Sequence, residues 1–149
     1  MIPHPAPVRP VLLVEDNVRD AELLCDALED EVETSRIVHV RDGVAALEWL
    51  DSSAARGDRL PLLVLLDLKM PRMTGMELLQ RLKRDDRYRH IPVVMMTSSQ
   101  QEQDLAGAYD LGVNAYVLKP LEFDAFVTTV RHVMQFWITV NLLPSSGLP

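Results

Sequence analysis

Five short apolar runs constrain this chain more than any other feature: VLLV (Val11–Val14), IVHV (Ile37–Val40), LLVLL (Leu62–Leu66), VVMM (Val93–Met96) and AYVL (Ala115–Leu118). They are continuous rather than alternating, as in strands covered on both faces. Segments of helical spacing separate them. Leu24, Cys25 and Leu28 share one face of the first, Val44, Leu47 and Leu50 mark the second, and Met76, Leu79 and Leu82 the third. Leu105, Ala108 and Leu111 mark a weaker fourth, and a fifth runs over about 122–140. Gly57, Asp85–Asp86 and Gly112 stand where the second, third and fourth helices should stop. Strand–helix alternation of this kind predicts an α/β fold, a parallel sheet with right-handed crossovers and helices on both faces.

The 149 residues suit one domain. The start, MIPHPAPVRP, carries four prolines and reads as an extended, solvated lead-in over 1–10. The domain proper occupies 11–140, and 141–149 read as a tail too short for an output domain. The start lacks the basic and apolar regions of a secretory signal, and no apolar run reaches the roughly 18 residues of a membrane helix. Cys25 is the single cysteine, so the natural setting is a reducing cytoplasm. A formal charge of −7 argues against direct binding to nucleic acid.

In folds of this class ligands bind beyond the carboxyl ends of the strands, where strand order reverses. The first run ends in Glu15, Asp16 and Asn17, the third in Asp67, the fourth in Thr97, Ser98 and Ser99, the fifth in Lys119 and Pro120. The second ends in RDG, an ordinary turn and helix cap. Some of these have structural duties: Asn17 suits a cap of the first helix, and Thr97 or Ser98 could cap the fourth. Asp67 is different, because KMPRMTG separates it from any helix. Three carboxylates, a hydroxyl and an ammonium on one rim form a chemical cluster.

Carboxylates crowded together resist ionisation unless a cation compensates. Oxygen donors without a Cys or His cluster suit Mg²⁺ rather than Zn²⁺. Beside such an ion an exposed aspartate becomes a nucleophile toward a phosphoryl group, with Thr97 and Lys119 neutralising its oxygens. The residues thus point to a metal-assisted aspartyl-phosphate site.

The motifs LLVEDN, LLDLKMPRMTG, VVMMTSS and AYVLKP resemble the receiver domain of two-component response regulators. The resemblance spans nearly the whole chain. It implies a flavodoxin-like, doubly wound, five-stranded parallel sheet in the order 2-1-3-4-5 with five helices. It implies Asp67 as phospho-acceptor and Mg²⁺ held by Glu15, Asp16, Asp67 and the backbone carbonyl of Lys69. Glu15 stands where aspartate is common in the family. The resemblance further implies phosphate-binding and switch roles for Thr97, Ser98, Lys119 and Tyr116, and a cis bond before Pro120. Such a protein catalyses only its own phosphorylation and dephosphorylation and is not otherwise an enzyme. Its partner would be a sensor histidine kinase.

The ending AYDLGVNAYVLKPLEFDAFVTTVRHVMQFWITVNLLP resembles the phytochrome-associated class of single-domain regulators, which implies a phytochrome-like light sensor. At helical spacing Phe123, Phe126, Val127, Val130, Met134, Trp137 and Ile138 form one stripe, and Val133, Phe136 and Val140 widen it beyond one packed face. The expectation is a homodimer through Val133, Phe136, Trp137 and Val140. Leu23 and Ala27 fall off the core stripe of the first helix and could offer an apolar contact to the kinase. The mixed run RLKRDDRYRH reads as a solvated helix end. Rival readings are a monomeric receiver for another sensor or motor target and an aspartyl-nucleophile phosphohydrolase. Lys69 disfavours the latter, because such enzymes commonly place an aspartate there as general acid/base.

Overall fold

The computed structural model describes residues 9–29 and 36–144. Most of the proline-rich lead-in and the end of the tail lie outside the described residues. Five strands, β1 (Val11–Val14), β2 (Ile37–Val40), β3 (Leu63–Leu66), β4 (Val93–Thr97) and β5 (Ala115–Leu118), alternate with α1 (Val18–Glu29), α2 (Gly43–Ala55), α3 (Gly75–Arg84), α4 (Glu102–Asp110) and α5 (Phe123–Met134). The strands form one parallel sheet in the order β2-β1-β3-β4-β5. This is the flavodoxin-like architecture read from the sequence.

Alternate residues of the continuous apolar strands feed two cores. Leu12, Val14, Val64, Leu66, Val93 and Met95 meet Leu50 of α2, Leu78, Leu79 and Leu82 of α3, and Ala108 of α4. Val11, Leu13, Leu63, Leu65, Val94 and Met96 meet Leu24 and Leu28 of α1 and Phe126, Val130 and Met134 of α5. Gly57 and Gly112 follow α2 and α4 with φ of 74° and 96°, a left-handed conformation that glycine adopts without the Cβ clash.

Three local expectations change. Ala27 is buried, because α1 packs against α5 as well as the sheet, and Leu23 is half-buried on the same core. The RLKRDDRYRH segment is not simply solvated. Tyr88 within it is 1% exposed and donates to Asp51 at 2.6 Å, and Lys83 Nζ donates to the carbonyls of Arg89 and Ile91 and to Asn114 Oδ1. The fifth helix is not uniform: after Met134 it continues as a π-helical segment, Gln135–Val140, closed by Asn141 N–H donating to the Phe136 carbonyl at 2.7 Å. The wider turn shifts side-chain register relative to an α-helix. Val133, Trp137 and Ile138 pack half-buried on the core, while Phe136 and Val140 are exposed. Phe123 is also exposed, since it opens α5 at the rim of the sheet.

Candidate functional site

Strand order reverses between β1 and β3, and their register sets the site. Val14 pairs with Leu66, so the next residues, Glu15 and Asp67, leave adjacent strands side by side; Asp67 N–H donates to the Val14 carbonyl at 3.1 Å. Glu15 also remains on the β2 ladder, donating from its N–H to the Val40 carbonyl at 3.1 Å. Asp16 follows Glu15 and is half-buried. One carboxylate oxygen from each of Glu15, Asp16 and Asp67 lies within 4.8 Å of the others.

Glu15 is the buried member, only 1% exposed. Lys119 Nζ donates to its Oε1, while Oε2 has no hydrogen-bond partner. Burial, reinforced by the neighbouring Asp67 carboxylate, pushes the Glu15 carboxyl up to about 8 against the opposing pull of Lys119. A buried, unpartnered oxygen beside two more carboxylates fits a hard cation with oxygen ligands. Asp67 Oδ1 accepts from Leu68 N–H at 2.7 Å, and Asp67 Oδ2 lies 3.6 Å from Lys119 Nζ.

Lys119 reaches the cluster because its N–H donates to the Thr97 carbonyl at 2.8 Å, extending the β4–β5 ladder past Leu118. It also bonds Asp20 Oδ2 at 3.0 Å. Asp20 escaped the sequence reading. Its signal was its place three residues after Asn17, whose Oδ1 caps α1 by accepting from Asp20 N–H at 3.0 Å. No cis peptide bond occurs among the described residues, so the expected cis Lys119–Pro120 bond is trans. Trans is the intrinsically preferred isomer before proline, and here it coexists with Lys119 already turned into the site.

Thr97 is buried, and its Oγ1 accepts from Ser99 N–H at 3.3 Å. Tyr116, half-buried on β5, donates its hydroxyl to the Ser99 carbonyl at 3.0 Å. Ser99 Oγ donates in turn to Asp104 Oδ2 at 2.6 Å and accepts from Gln101 N–H at 3.3 Å. Thr97 and Tyr116 are therefore linked through Ser99 to the first turn of α4, which buries only Ala108. Ser98 and Lys69, which follow Thr97 and Asp67 closely in sequence, are exposed.

A family described as the response regulator receiver domain matches residues 11–131. This chain belongs to that family. Among relatives of the receiver, the probable methanogenesis regulatory protein FilR2 of Methanothrix harundinacea is 43% identical over 90% of this chain and 86% of its own length. Response regulator Rcp1 of Synechocystis is 32% identical over 94% of this chain and 96% of its own. The structure of its Mn²⁺-bound form has a TM-score of 0.82 at 31% identity, covering 93% of this chain and 100% of that one. The phosphorylated cyanobacterial phytochrome response regulator RcpA is 34% identical with a TM-score of 0.85, over 93% of this chain and 100% of that one. The bacteriophytochrome response regulator AtBRR is 48% identical with a TM-score of 0.70, over 91% and 99%. The receiver is thus related to phytochrome-associated regulators, and phosphorylation on aspartate is general to its family. Among the described residues no helix is long and apolar enough to cross a membrane.

Proposed function

We propose that this receiver accepts a phosphoryl group on Asp67 from the phosphohistidine of a bacteriophytochrome-type sensor kinase in the cytoplasm. The observation that carries the reading is the in-register placement of Glu15 beside Asp67, with Lys119 reaching both. Glu15, Asp16 and Asp67, with the Lys69 backbone carbonyl, would hold Mg²⁺; Mn²⁺ in the related Rcp1 and the orphaned Glu15 oxygen support that donor set. When bound, the ion supplies positive charge to the phosphoryl oxygens during transfer.

The chain's residues do the rest. An Asp67 carboxylate oxygen forms a bond to phosphorus as the phosphorus–nitrogen bond breaks, and the leaving imidazole retains that electron pair. Lys119, already 3.6 Å from Asp67, pairs with a phosphoryl oxygen. The Thr97 hydroxyl turns toward another, giving up its bond from Ser99 N–H. Tyr116 can then leave the Ser99 carbonyl, which loosens the Ser99–Asp104 tie to α4. The chain acts only on its own phosphorylation state. Ser98, exposed next to Thr97 in sequence, would add a hydroxyl to the phosphate-binding residues. The exposed Phe136 and Val140, backed by Val133 and Trp137, form the contact of a homodimer.

Two experiments test this reading. Asp67→Asn abolishes labelling by radiolabelled acetyl phosphate with Mg²⁺, whereas undiminished labelling refutes the site. Phosphotransfer from a bacteriophytochrome kinase differs between light and dark; absence of transfer in both, beside intact acetyl-phosphate labelling, refutes the sensor while keeping the site.

A further inference from the structure

Arg72 has φ of 64°, and it is the one non-glycine residue with positive φ among the described residues. A side chain with a Cβ adopts that conformation at a cost that glycine escapes. Arg72 sits midway along the loop joining Asp67 to α3, and its side chain is engaged. Its Nε and Nη2 both donate to Asp42 Oδ2, at 3.0 and 2.6 Å. Asp42 is 7% exposed and comes from the β2–α2 turn, thirty positions away in sequence. Its other oxygen accepts from Ala45 N–H at 2.8 Å, capping α2. The carboxylate is therefore fixed on one side by a helix end and offers the other to the arginine. Its pKa is held below the ordinary value by the Ala45 hydrogen bond and by Arg72, against the effect of burial.

A second contact locks the same two segments. A Cβ on Gly43 would lie 2.7 Å from Met73 Sδ and 2.9 Å from Met73 Cβ, so Met73 is seated directly on the missing side chain. Asp42–Arg72 and Gly43–Met73 are consecutive contacts of one interlock. The loop is also pinned at its ends. Leu68 N–H donates to Asp67 Oδ1 at 2.7 Å, and Gly75 N–H to the Leu68 carbonyl at 2.8 Å. Between these pins lies Lys69, three positions before Arg72 and two after the phospho-acceptor. An arginine 60% exposed contributes little to global stability through such a pair. Its costly backbone conformation, held by a buried partner, points to loop geometry instead.

We propose that Arg72 and Asp42 are positioning residues for the divalent-cation site. Their ion pair holds the Asp67–Gly75 loop in the left-handed turn that aims the Lys69 backbone carbonyl at a cation shared with Glu15, Asp16 and Asp67. The inference rests on the metal reading above and goes beyond it, since neither residue touches the cation. Partners one layer out from the ligands commonly set metal affinity by an order of magnitude or more.

The test is Mg²⁺ titration by calorimetry, with melting temperatures measured without metal. Arg72→Gly admits the left-handed backbone without its steric cost but removes the pair that holds the loop there. It weakens Mg²⁺ binding by about tenfold while the melting temperature stays within about 3 °C. Asp42→Asn, which can still accept from Ala45 N–H, weakens binding to a similar extent. The double variant is no weaker than the worse single one, because the two act through one interaction. Arg72→Lys recovers part of the affinity.

Unchanged affinity in Arg72→Gly overturns the proposal. So does a loss that Lys does not recover and that tracks a fall in melting temperature, which marks a structural brace. Glu15→Gln separates this inference from the site reading. Wild type that binds no Mg²⁺ refutes both; wild-type binding lost in Glu15→Gln but kept in Arg72→Gly refutes the positioning role alone.

Discussion

Lys119 Nζ lies 3.6 Å from Asp67 Oδ2 but is bonded to Glu15 and Asp20. The ammonium therefore occupies the acidic cluster as its resident cation. Burial alone would lower the pKa of Lys119, but the Glu15 hydrogen bond and the charge of Asp67 raise it above its ordinary value, so it stays charged. A divalent ion using Glu15 competes with this arrangement.

Lys119→Met accordingly binds Mg²⁺ more tightly, by about three- to tenfold, since removing a cation from a carboxylate cluster favours another one. The same variant loses acetyl-phosphate labelling, because no ammonium remains to meet the phosphoryl oxygens. Titration calorimetry and labelling measure the two effects separately. Weaker Mg²⁺ binding in Lys119→Met would show that lysine and metal do not compete.

Glu15 makes stability depend on pH in an unusual direction. Its folded pKa, pushed up to about 8 from an ordinary 4.5, means that the folded state holds a proton the unfolded state has released between those values. The stability this group contributes is complete below about pH 4.5 and is lost as pH rises through about 8. In the absence of metal, the melting temperature falls from pH 5.5 to 8.5, and Glu15→Gln flattens that slope. Mg²⁺ favours the ionised carboxylate, so its stabilising effect is larger at pH 8 than at pH 6. Calorimetric melts at these values, with and without Mg²⁺, check the sign; an equal slope in Glu15→Gln would remove Glu15 as the cause.

The fold and the central acids were legible because both depend on patterns local in sequence. Continuous apolar runs mark strands buried on two faces, and the residue that ends each run must emerge at the carboxyl rim. Glu15, Asp67, Thr97 and Lys119 follow from that rule. Asp20 and the Asp42–Arg72 pair do not. Asp42 carries an ordinary capping signal, and its second oxygen meets a residue brought near only by tertiary packing. The lysine–proline step was a matter of isomer, and the small intrinsic preference for trans is not visible in residue identity. The last helix keeps its expected inner stripe through Trp137 and Ile138, and what the sequence did not show is its turn width. Helical periodicity assumes constant turn width, and the π-helical segment breaks that assumption after Met134.

Within that segment two aromatic neighbours face differently. Phe136 and Trp137 stack edge to face, with centroids 5.0 Å apart and planes at 89°. Trp137 packs half-buried on the core with Ile138, whereas Phe136 is 47% exposed and Val140 is 65% exposed. This apolar stretch thus has an inner and an outer face. Phe136→Glu combined with Val140→Glu shifts sedimentation at tens of micromolar (an order of magnitude set by affinity arithmetic) from dimer to monomer. It changes the urea-denaturation stability of the monomer by no more than about 0.5 kcal/mol, the scale of surface substitutions. Trp137→Ala lowers that stability by about 1–2 kcal/mol, because it removes a ring half-buried against the core rather than a surface contact. If the double glutamate variant stays dimeric, the outer face is not the contact; if wild type sediments as a monomer, no dimer forms at that concentration.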